Sequence, residues 1–379
     1  MKVAIIGLSN SGKTTIFNAL TGQNLETTIY PTTSGEPNLG IVKVPDPRLD
    51  RLSAIFRPKK TTYATVEYID YLGITKGDIK QNRKVFDLIK DVDAIVHIVR
   101  AFEDERVLHP LNNVDPIRDL ETVELELIFG DLELIEKRLK KIEEVTKKGK
   151  KPDEAERRIL LKCKESLENE IPLRYLHFSE DEIKRMRHLQ FISIKPEVIV
   201  LNIGEKDLNT DKPIKFEKEI EHYFRSKKIP LNPPLLKGGM EGLKTHYSLL
   251  SLCGKIEMEI SRLSPEDARL FLDDMGIKEP ASKRLIHLCY EILGLISFFT
   301  YVGDEVKSWT ISKGTNALKA AGKIHSDIER GFIKAEVISF DEFISLGSIH
   351  AAREKGLLRL EGKTYEVKDG DIINFRFNV

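Results

Sequence analysis

Gly7-Leu8-Ser9-Asn10-Ser11-Gly12-Lys13-Thr14 spaces its residues as G-x-x-x-x-G-K-Ser/Thr. The glycines let successive backbone N–H groups turn inward, and a helix that follows adds positive potential, so such a loop cradles phosphate oxygens. In that arrangement Lys13 reaches the β- and γ-phosphates of a nucleotide and the Thr14 hydroxyl ligates Mg²⁺. Asn10, Ser11, Gly12, Lys13, Thr14 and Thr15 are therefore the candidate phosphate-binding residues. A Mg²⁺ shell also needs an acidic residue at the end of a neighbouring strand. Asp70 ends an alternating apolar run, and Gly73 follows where a backbone N–H can meet a γ-phosphate. After a phosphate loop, that pair reads as the second switch of a GTPase-like site. Many such enzymes place a Gln next to orient the attacking water. This chain has Ile74, which neither donates nor accepts, so hydrolysis is expected to be slow and the water must be positioned by another group, by substrate oxygens or by a monovalent cation. His109, in Leu108-His109-Pro110-Leu111, is the candidate, set against the plainer reading of a surface loop histidine.

The base is read elsewhere. GTPases use Asn-Lys-x-Asp, whose Asp accepts two N–H groups of guanine. The equivalent strand here runs into Asn202-Ile203-Gly204-Glu205, so the Lys is missing and the Asp has become a longer Glu. Adenine offers no N2 amino group, while an Asn amide pairs with its N6/N7 edge. A preference for ATP over GTP follows, with Asn202, Ile203 and Glu205 as the base-side candidates and Asn202 as the discriminating side chain.

These residues need a parallel sheet behind them. Val3–Ile6, Ala94–Val99 and Glu197–Leu201 are short, continuous apolar runs separated by helical stretches, as in strands buried on both faces. Between the last two, Ile128, Leu132, Ile135, Leu139 and Ile142 step by four and three residues among Glu and Lys. After a polar turn at Lys147–Asp153, a second run carries Ala155, Ile159, Cys163 and Leu167. An antiparallel helical hairpin is expected, either covering the sheet or, given its charged surface, projecting from it. Beyond residue 300 the pattern becomes short strand-like runs, Val306–Ile311, Ala335–Ile338, Leu358–Leu360, Thr364–Val367 and Ile372–Phe377, divided by turn signals.

The whole chain has 379 residues, with Lys+Arg and Asp+Glu equal at 60 each. The zero net charge excludes a globally basic nucleic-acid coat but not local basic patches. The longest apolar runs are too short to span a membrane, and the first residues meet the glycine motif too soon for a signal peptide. Three widely separated cysteines have no metal or disulfide spacing and read as buried thiols. A cytoplasmic globular protein without membrane association is expected.

With these motifs in place, the chain resembles the Obg-like ATPases, the YchF subfamily of the Obg translation-factor GTPases, along almost its whole length. The resemblance rests on the phosphate loop with Asn10, Tyr30-Pro31 leading to Glu36-Pro37-Asn38, and Val44-Pro-Asp-Pro-Arg-Leu49. It continues through Val99-Arg-Ala-Phe-Glu-Asp104, Asp115-Pro116 and Asn202-x-x-Glu205. It ends in a long C-terminal stretch that includes Ala320-Ala-Gly-Lys-Ile-His-Ser-Asp327 and Asp369-Gly-Asp-Ile-Ile373. It implies an α/β P-loop NTPase with a TRAFAC-type G domain in two pieces, 1–112 and 195–295. It also implies an inserted helical, coiled-coil domain at 113–194 and a β-grasp TGS domain at 296–379. The activity implied is Mg²⁺-dependent ATP hydrolysis with relaxed nucleotide choice. The implied partner is the ribosome, as large subunit or 70S particle, met through rRNA or tRNA contacts of the helical and TGS domains in translation or stress responses. Ile74 repeats the hydrophobic residue that this class carries in place of Gln. In related cation-activated enzymes the loop Asn, here Asn10, helps hold K⁺, and spacing puts the switch I hydroxyl for Mg²⁺ on Ser34, with Thr33 beside it.

The departures point to a divergent paralogue. Family members usually read Asp-Ile-Ala-Gly-Leu-Val-Lys-Gly-Ala-Ser and then Gly-Glu-Gly-Leu-Gly-Asn. This chain reads Asp70-Tyr-Leu-Gly-Ile-Thr-Lys-Gly77 and then Asp78-Ile-Lys-Gln-Asn82. Fewer glycines should stiffen the second switch or change its closure. The family's base-side Ser-Ala loop is replaced by Gly238-Gly239-Met240-Glu241. Two alternatives stay open: a nucleotide-binding scaffold with negligible hydrolysis, and an ordinary GTPase. The basic residues of the hairpin, Lys137 to Lys151, are diluted by Glu136, Glu143, Glu144 and Asp153, so an RNA contact and a merely solvated arm are equally compatible with them.

Overall fold

The computed structural model describes residues 1–27, 35–148, 151, 153–227 and 248–378. Thr33, Ser34, Tyr30-Pro31, Lys150 and Gly238–Glu241 lie outside the described residues. The strands are β1 Lys2–Ile6, β2 Asn38–Lys43, β3 Lys60–Thr62, β4 Thr65–Asp70, β5 Ala94–Ala101, β6 Glu197–Ile203, β7 Ser248–Leu252, β8 Leu295–Val302, β9 Glu305–Ser312, β10 Phe332–Ser339, β11 Arg359–Glu361 and β12 Asp371–Phe377. The first eight helices are α1 Lys13–Thr21, α2 Pro47–Phe56, α3 Ile79–Ile89, α4 Pro116–Lys147, α5 Glu154–Glu168, α6 Glu180–Met186, α7 Lys212–Ser226 and α8 Gly254–Ile260. They build two compact units, Met1–Val42 with Glu67–Cys289, and Lys43–Val66 with Tyr290–Val379.

The first unit holds a six-stranded sheet in the order β2-β4-β1-β5-β6-β7, with the pairs from β4 to β7 parallel. Every residue of β5 and β6 is buried, which is why both are mostly apolar, interrupted by His97 and Arg100 in β5 and by Glu197 and Asn202 in β6. One apolar cluster joins Ala4, Ile6 and Ile95 to Val85 and Ile89 of α3 and to Val123 and Leu127 of α4. Another joins Val99, Ile199 and Leu201 to Ile220 and Phe224 of α7 and Ile256 of α8.

α4 is capped by Asp115, whose side chain accepts from Arg118 N, with Pro116 preset for the first turn. Its first turns pack on the sheet. Its later residues Ile128, Ile135 and Ile142 join Ile159, Leu160, Cys163 and Leu167 of α5, together with Leu173 and Phe191, in a separate cluster. The heptad positions thus form a core of the hairpin itself, while the same helix also belongs to the sheet.

At that junction lies a buried ionic network. Arg174 Nη1 is 2.7 Å from Glu124 Oε2 and 3.0 Å from Glu197 Oε2, and His97 Nδ1 is 3.0 Å from Glu197 Oε1. Burial pushes the Glu124 carboxyl up to about 8, against the pull of Arg174, and the His97 imidazole down to about 4. His97, Glu124 and Glu197 bring ligand atoms within 4.8 Å of one another, but the Arg174 guanidinium already supplies the cation there.

The second unit has a mixed sheet in the order β11-β10-β12-β8-β9-β3. Phe298, Ile311 and Val337 pack with Ala317, Ala320 and Ala321 of the helix Ala317–Ile324, and Phe299, Val306 and Ile338 pack with Leu49 and Leu52 of α2. Residues 43–66 therefore group with the C-terminal residues, not with the sheet domain in which the sequence reading placed them. Their edge strand β3 pairs in parallel with β9. Thr364–Val367 is not a strand. Its backbone serves the neighbouring helix and turn instead, with Ala317 N donating to Tyr365 O at 2.7 Å and Val367 N to Thr315 O at 3.0 Å. Leu295–Val302 forms a further strand, paired antiparallel with β9.

Arg174→Leu leaves the buried Glu124–Glu197 pair without its cation, and the expected loss is roughly 3–5 kcal/mol of stability in urea denaturation. A loss under about 1 kcal/mol would mean that Arg174 does not neutralise the pair.

Candidate functional site

The site gathers at the carboxyl ends of the parallel strands, where open α/β sheets leave a crevice. A cavity of about 300 Å³ has Asn10, Lys13, Thr14, Asn38, Asp70 and Gly73 among its lining residues. The loop from Gly7 to Gly12 closes on itself through Ser11 N donating to Leu8 O at 3.4 Å. Gly12, at φ 94°, precedes α1 in a left-handed conformation that a side chain would strain, and an added Cβ would sit 2.1 Å from Asn202 Nδ2.

Lys13 is buried, and its ammonium donates to Leu8 O at 2.8 Å across the loop. Burial lowers its pKa to about 8, opposed by the charge of Asp70. The Thr14 hydroxyl donates to Asp70 Oδ2 at 2.8 Å, and Asn38 Nδ2 lies 3.4 Å from the same oxygen. Asp70 Oδ1 is buried without a hydrogen-bond partner, and burial raises the carboxyl's pKa. A threonine hydroxyl beside a buried, half-unsatisfied carboxylate is a donor set that suits a hard divalent cation.

Gly73 lies directly against the loop: a Cβ there would fall 2.6 Å from Ser9 N, so only glycine permits the approach. Ile74 N donates to Gly7 O at 2.9 Å, and the Ile74 side chain is 1% exposed within the cluster of Ala4, Ile6 and Leu8. The residue in the Gln position is therefore a core residue that ties the segment to the phosphate loop.

His109 takes a place that the sequence did not foresee. Its Nε2 is 2.7 Å from Asp119 Oδ2, and its Nδ1 accepts from Leu111 N at 3.0 Å, which makes Nε2 the donor. Its side chain is 4% exposed. Both ring nitrogens are committed, Nδ1 within the loop and Nε2 to α4, so water placement would require a bond to break. Asn10 Nδ2 donates to Leu108 O at 2.9 Å, turning its amide toward this loop.

On the base side, Asn202 Nδ2 donates to Ser11 O at 2.9 Å and Oδ1 accepts from Gly254 N at 3.0 Å. The carboxamide thus pins the phosphate loop to β6 and to the start of α8. Ile203 is buried in the core, while Glu205 is exposed and sits 3.3 Å from Lys255 Nζ. Two further residues stand here. Arg100, a buried cation inside the apolar run of β5, donates to the carbonyls of Phe102, Asp104, Val107 and Leu108 and so shapes the loop. Its presence in such a run was the readable signal. Phe102 has its Cβ 3.7 Å from a Cβ built on Gly204 and its ring Cε1 4.0 Å from one built on Gly12, and the Arg100 guanidinium lies 4.4 Å from the ring centroid. Local sequence carried no sign of this.

A family profile described as a 50S ribosome-binding GTPase matches residues 2–149, and one named YchF-GTPase_C, described as of unknown function, matches residues 295–378. The ribosome-binding ATPase YchF of Bacillus subtilis is 39% identical over 382 residues, covering 100% of both chains. The chain belongs to the YchF family. The ribosome-binding ATPase YchF of Escherichia coli O157:H7 is 37% identical over 381 residues, covering 100% of this YchF-family chain and 99% of its own. The solved Schizosaccharomyces pombe YchF GTPase superposes with a TM-score of 0.79 at 27% identity, covering 99% of this chain and 97% of that one. A GTP-binding protein from Pyrococcus horikoshii OT3, at 18% identity and TM-score 0.60, shares the fold.

Asn202→Ala leaves Ser11 O and Gly254 N unpaired in a buried place, with an expected cost of about 1–3 kcal/mol in chemical denaturation. A cost near zero would show that the loop is held without this carboxamide.

Proposed function

We propose that this YchF-family protein binds ATP, with GTP as a secondary ligand, hydrolyses it slowly with Mg²⁺, and acts as a nucleotide-controlled partner of the ribosome. The observation that carries the reading is the phosphate loop with Thr14 Oγ1 2.8 Å from Asp70 Oδ2 and the second Asp70 oxygen unsatisfied. Relatives matched over their whole length are named ribosome-binding ATPases.

Backbone amides from Asn10 to Thr15 would wrap the phosphates while Lys13 neutralises them. Thr14 and Asp70, with Ser34 from the first switch, would hold the Mg²⁺. A cation held by these residues would supply charge stabilisation for the phosphoryl group being transferred. Gly73 would offer its N–H to the γ-phosphate. Asn10 is the candidate K⁺ ligand. Adenine would lie beside Asn202, Ile203 and Glu205, with Phe102 as a stacking surface.

Residues 1–42, 67–112 and 195–289 would then be the G domain and 113–194 the inserted helical domain, while 290–379, joined by 43–66, would carry a β-grasp TGS module. The latter two would meet rRNA or tRNA on the large subunit or the 70S particle. The burial of Ile74 and the engaged ring of His109 favour, as a second reading, a nucleotide-binding scaffold with negligible turnover.

Phosphate release from wild type and Lys13→Ala, with and without K⁺, separates these readings. A wild-type rate well above the variant is expected, and equal rates leave only the scaffold. Competition should favour ATP, and a clear GTP preference would restore the ordinary GTPase. Co-sedimentation with ribosomes should differ between ATP and ADP states.

The lowered Lys13 pKa gives the affinity a pH dependence. A bound triphosphate stabilises the ammonium, so binding is tightest where Lys13 is already protonated. Affinity should be flat below about pH 8 and fall above it, by up to about tenfold per pH unit. Calorimetry from pH 7 to 10 reads this, and Lys13→Ala should abolish the slope.

A further inference from the structure

The segment after Asp70 is held from outside by three side chains that the proposed chemistry does not use. Gln81, in the first turn of α3, donates from Nε2 to Gly73 O at 2.8 Å and to Thr75 Oγ1 at 3.0 Å. Asn82 accepts from Thr75 N at 3.0 Å through Oδ1 and donates from Nδ2 to Thr75 O at 2.8 Å. The same Nδ2 donates to Glu126 Oε2 at 2.8 Å, and the other Glu126 oxygen accepts from Gly77 N at 2.7 Å. Asn82 and Glu126 are 1% and 8% exposed, so these bonds are shielded from water. Gly73, Thr75 and Gly77 are thus each gripped through the backbone. The grip ends on α4, the helix whose later residues Ile128, Ile135 and Ile142 form the core of the hairpin.

Asp78 caps α3 by accepting from Gln81 N at 3.0 Å, which fixes the turn from which Gln81 and Asn82 reach back. The segment is gripped in the position that brings Gly73 against Ser9 of the phosphate loop.

We propose that Gln81, Asn82 and Glu126 are positioning residues, a latch that sets Gly73 at contact distance from a γ-phosphate and ties that setting to the hairpin helix α4. The proposal rests on the triphosphate site described above. A diphosphate has no γ-phosphate for Gly73 to meet and is held by the phosphate loop alone. The latch therefore discriminates triphosphate from diphosphate, and its loss separates the two affinities, where general damage to the pocket would lower both together. Because Gln81 and Glu126 grip one segment, their losses should not add.

The test uses the full chain and its Gln81→Ala, Glu126→Gln and double variants. Calorimetry with Mg²⁺ compares a non-hydrolysable ATP analogue with ADP, and amide exchange is followed across 116–147. Gln81→Ala removes only the two bonds to Gly73 and Thr75 from a half-buried position. Expected is a roughly three- to tenfold loss of analogue affinity, by analogy with deletion of single hydrogen bonds. ADP affinity should stay within about twofold. Wild type should show exchange in α4 that differs between analogue and ADP, and Glu126→Gln should lose that difference. Equal losses for both ligands, or no loss for either in Gln81→Ala, overturn the latch. If Glu126→Gln does not fold, Gln81→Ala decides alone. A wild type that binds neither ligand overturns the site reading and the latch with it, a result distinct from selective failure in the variants.

Discussion

A buried ammonium and a buried carboxylate, facing one cavity and neither paired directly with the other, are the constraint around which the first unit is built. Lys13 is held by a carbonyl of its own loop, and Asp70 by the hydroxyl of the next residue, Thr14. Burying either charge is costly unless something compensates it. The compensation comes from the arrangement of β1 and β4 as parallel neighbours, which puts the loop and the acid at the same edge of the sheet. Burial lowers the lysine pKa and raises that of the aspartate, so both groups favour an arriving ligand that brings the opposite charges: anionic phosphates and a cation.

Around this pair, hydrogen-bonding side chains do the fastening that apolar packing cannot. Asn202 fixes the loop to β6, Arg100 gathers four carbonyls of the following loop, and Gln81 with Asn82 holds the segment after Asp70. Each engages backbone groups in irregular segments, where no helix or strand partner is available. The same economy explains the network at Arg174. There ions add to the apolar packing by which α4 meets the sheet, and breaking one member would strand the others.

The helix α4 gives the molecule its internal continuity. Its first half belongs to the sheet cluster and its second to the hairpin cluster. A rigid helix shared between two cores transmits displacement from one end to the other, which is why Glu126, near the crossover, is a consequential place for the switch segment to be anchored.

Much of this was legible beforehand. The phosphate loop, Asp70, Gly73, the buried strands and the heptad hairpin follow from spacing and residue type, because each is a local pattern with one favourable structural outcome. Other features were not legible. The sequence gives no sign that α2 and β3 join the C-terminal sheet, since two buried leucines and three strand residues do not specify which partner they meet. Nor could it show that Asn202 would spend both amide groups on the protein, that His109 would be locked by Asp119 and Leu111, or that Gln81 would reach back to Gly73. Residue type and short-range order determined which chemistry the chain can support. Which donor meets which acceptor across the fold was decided by tertiary structure, because a hydrogen bond depends on distance and angle between groups that lie far apart along the chain.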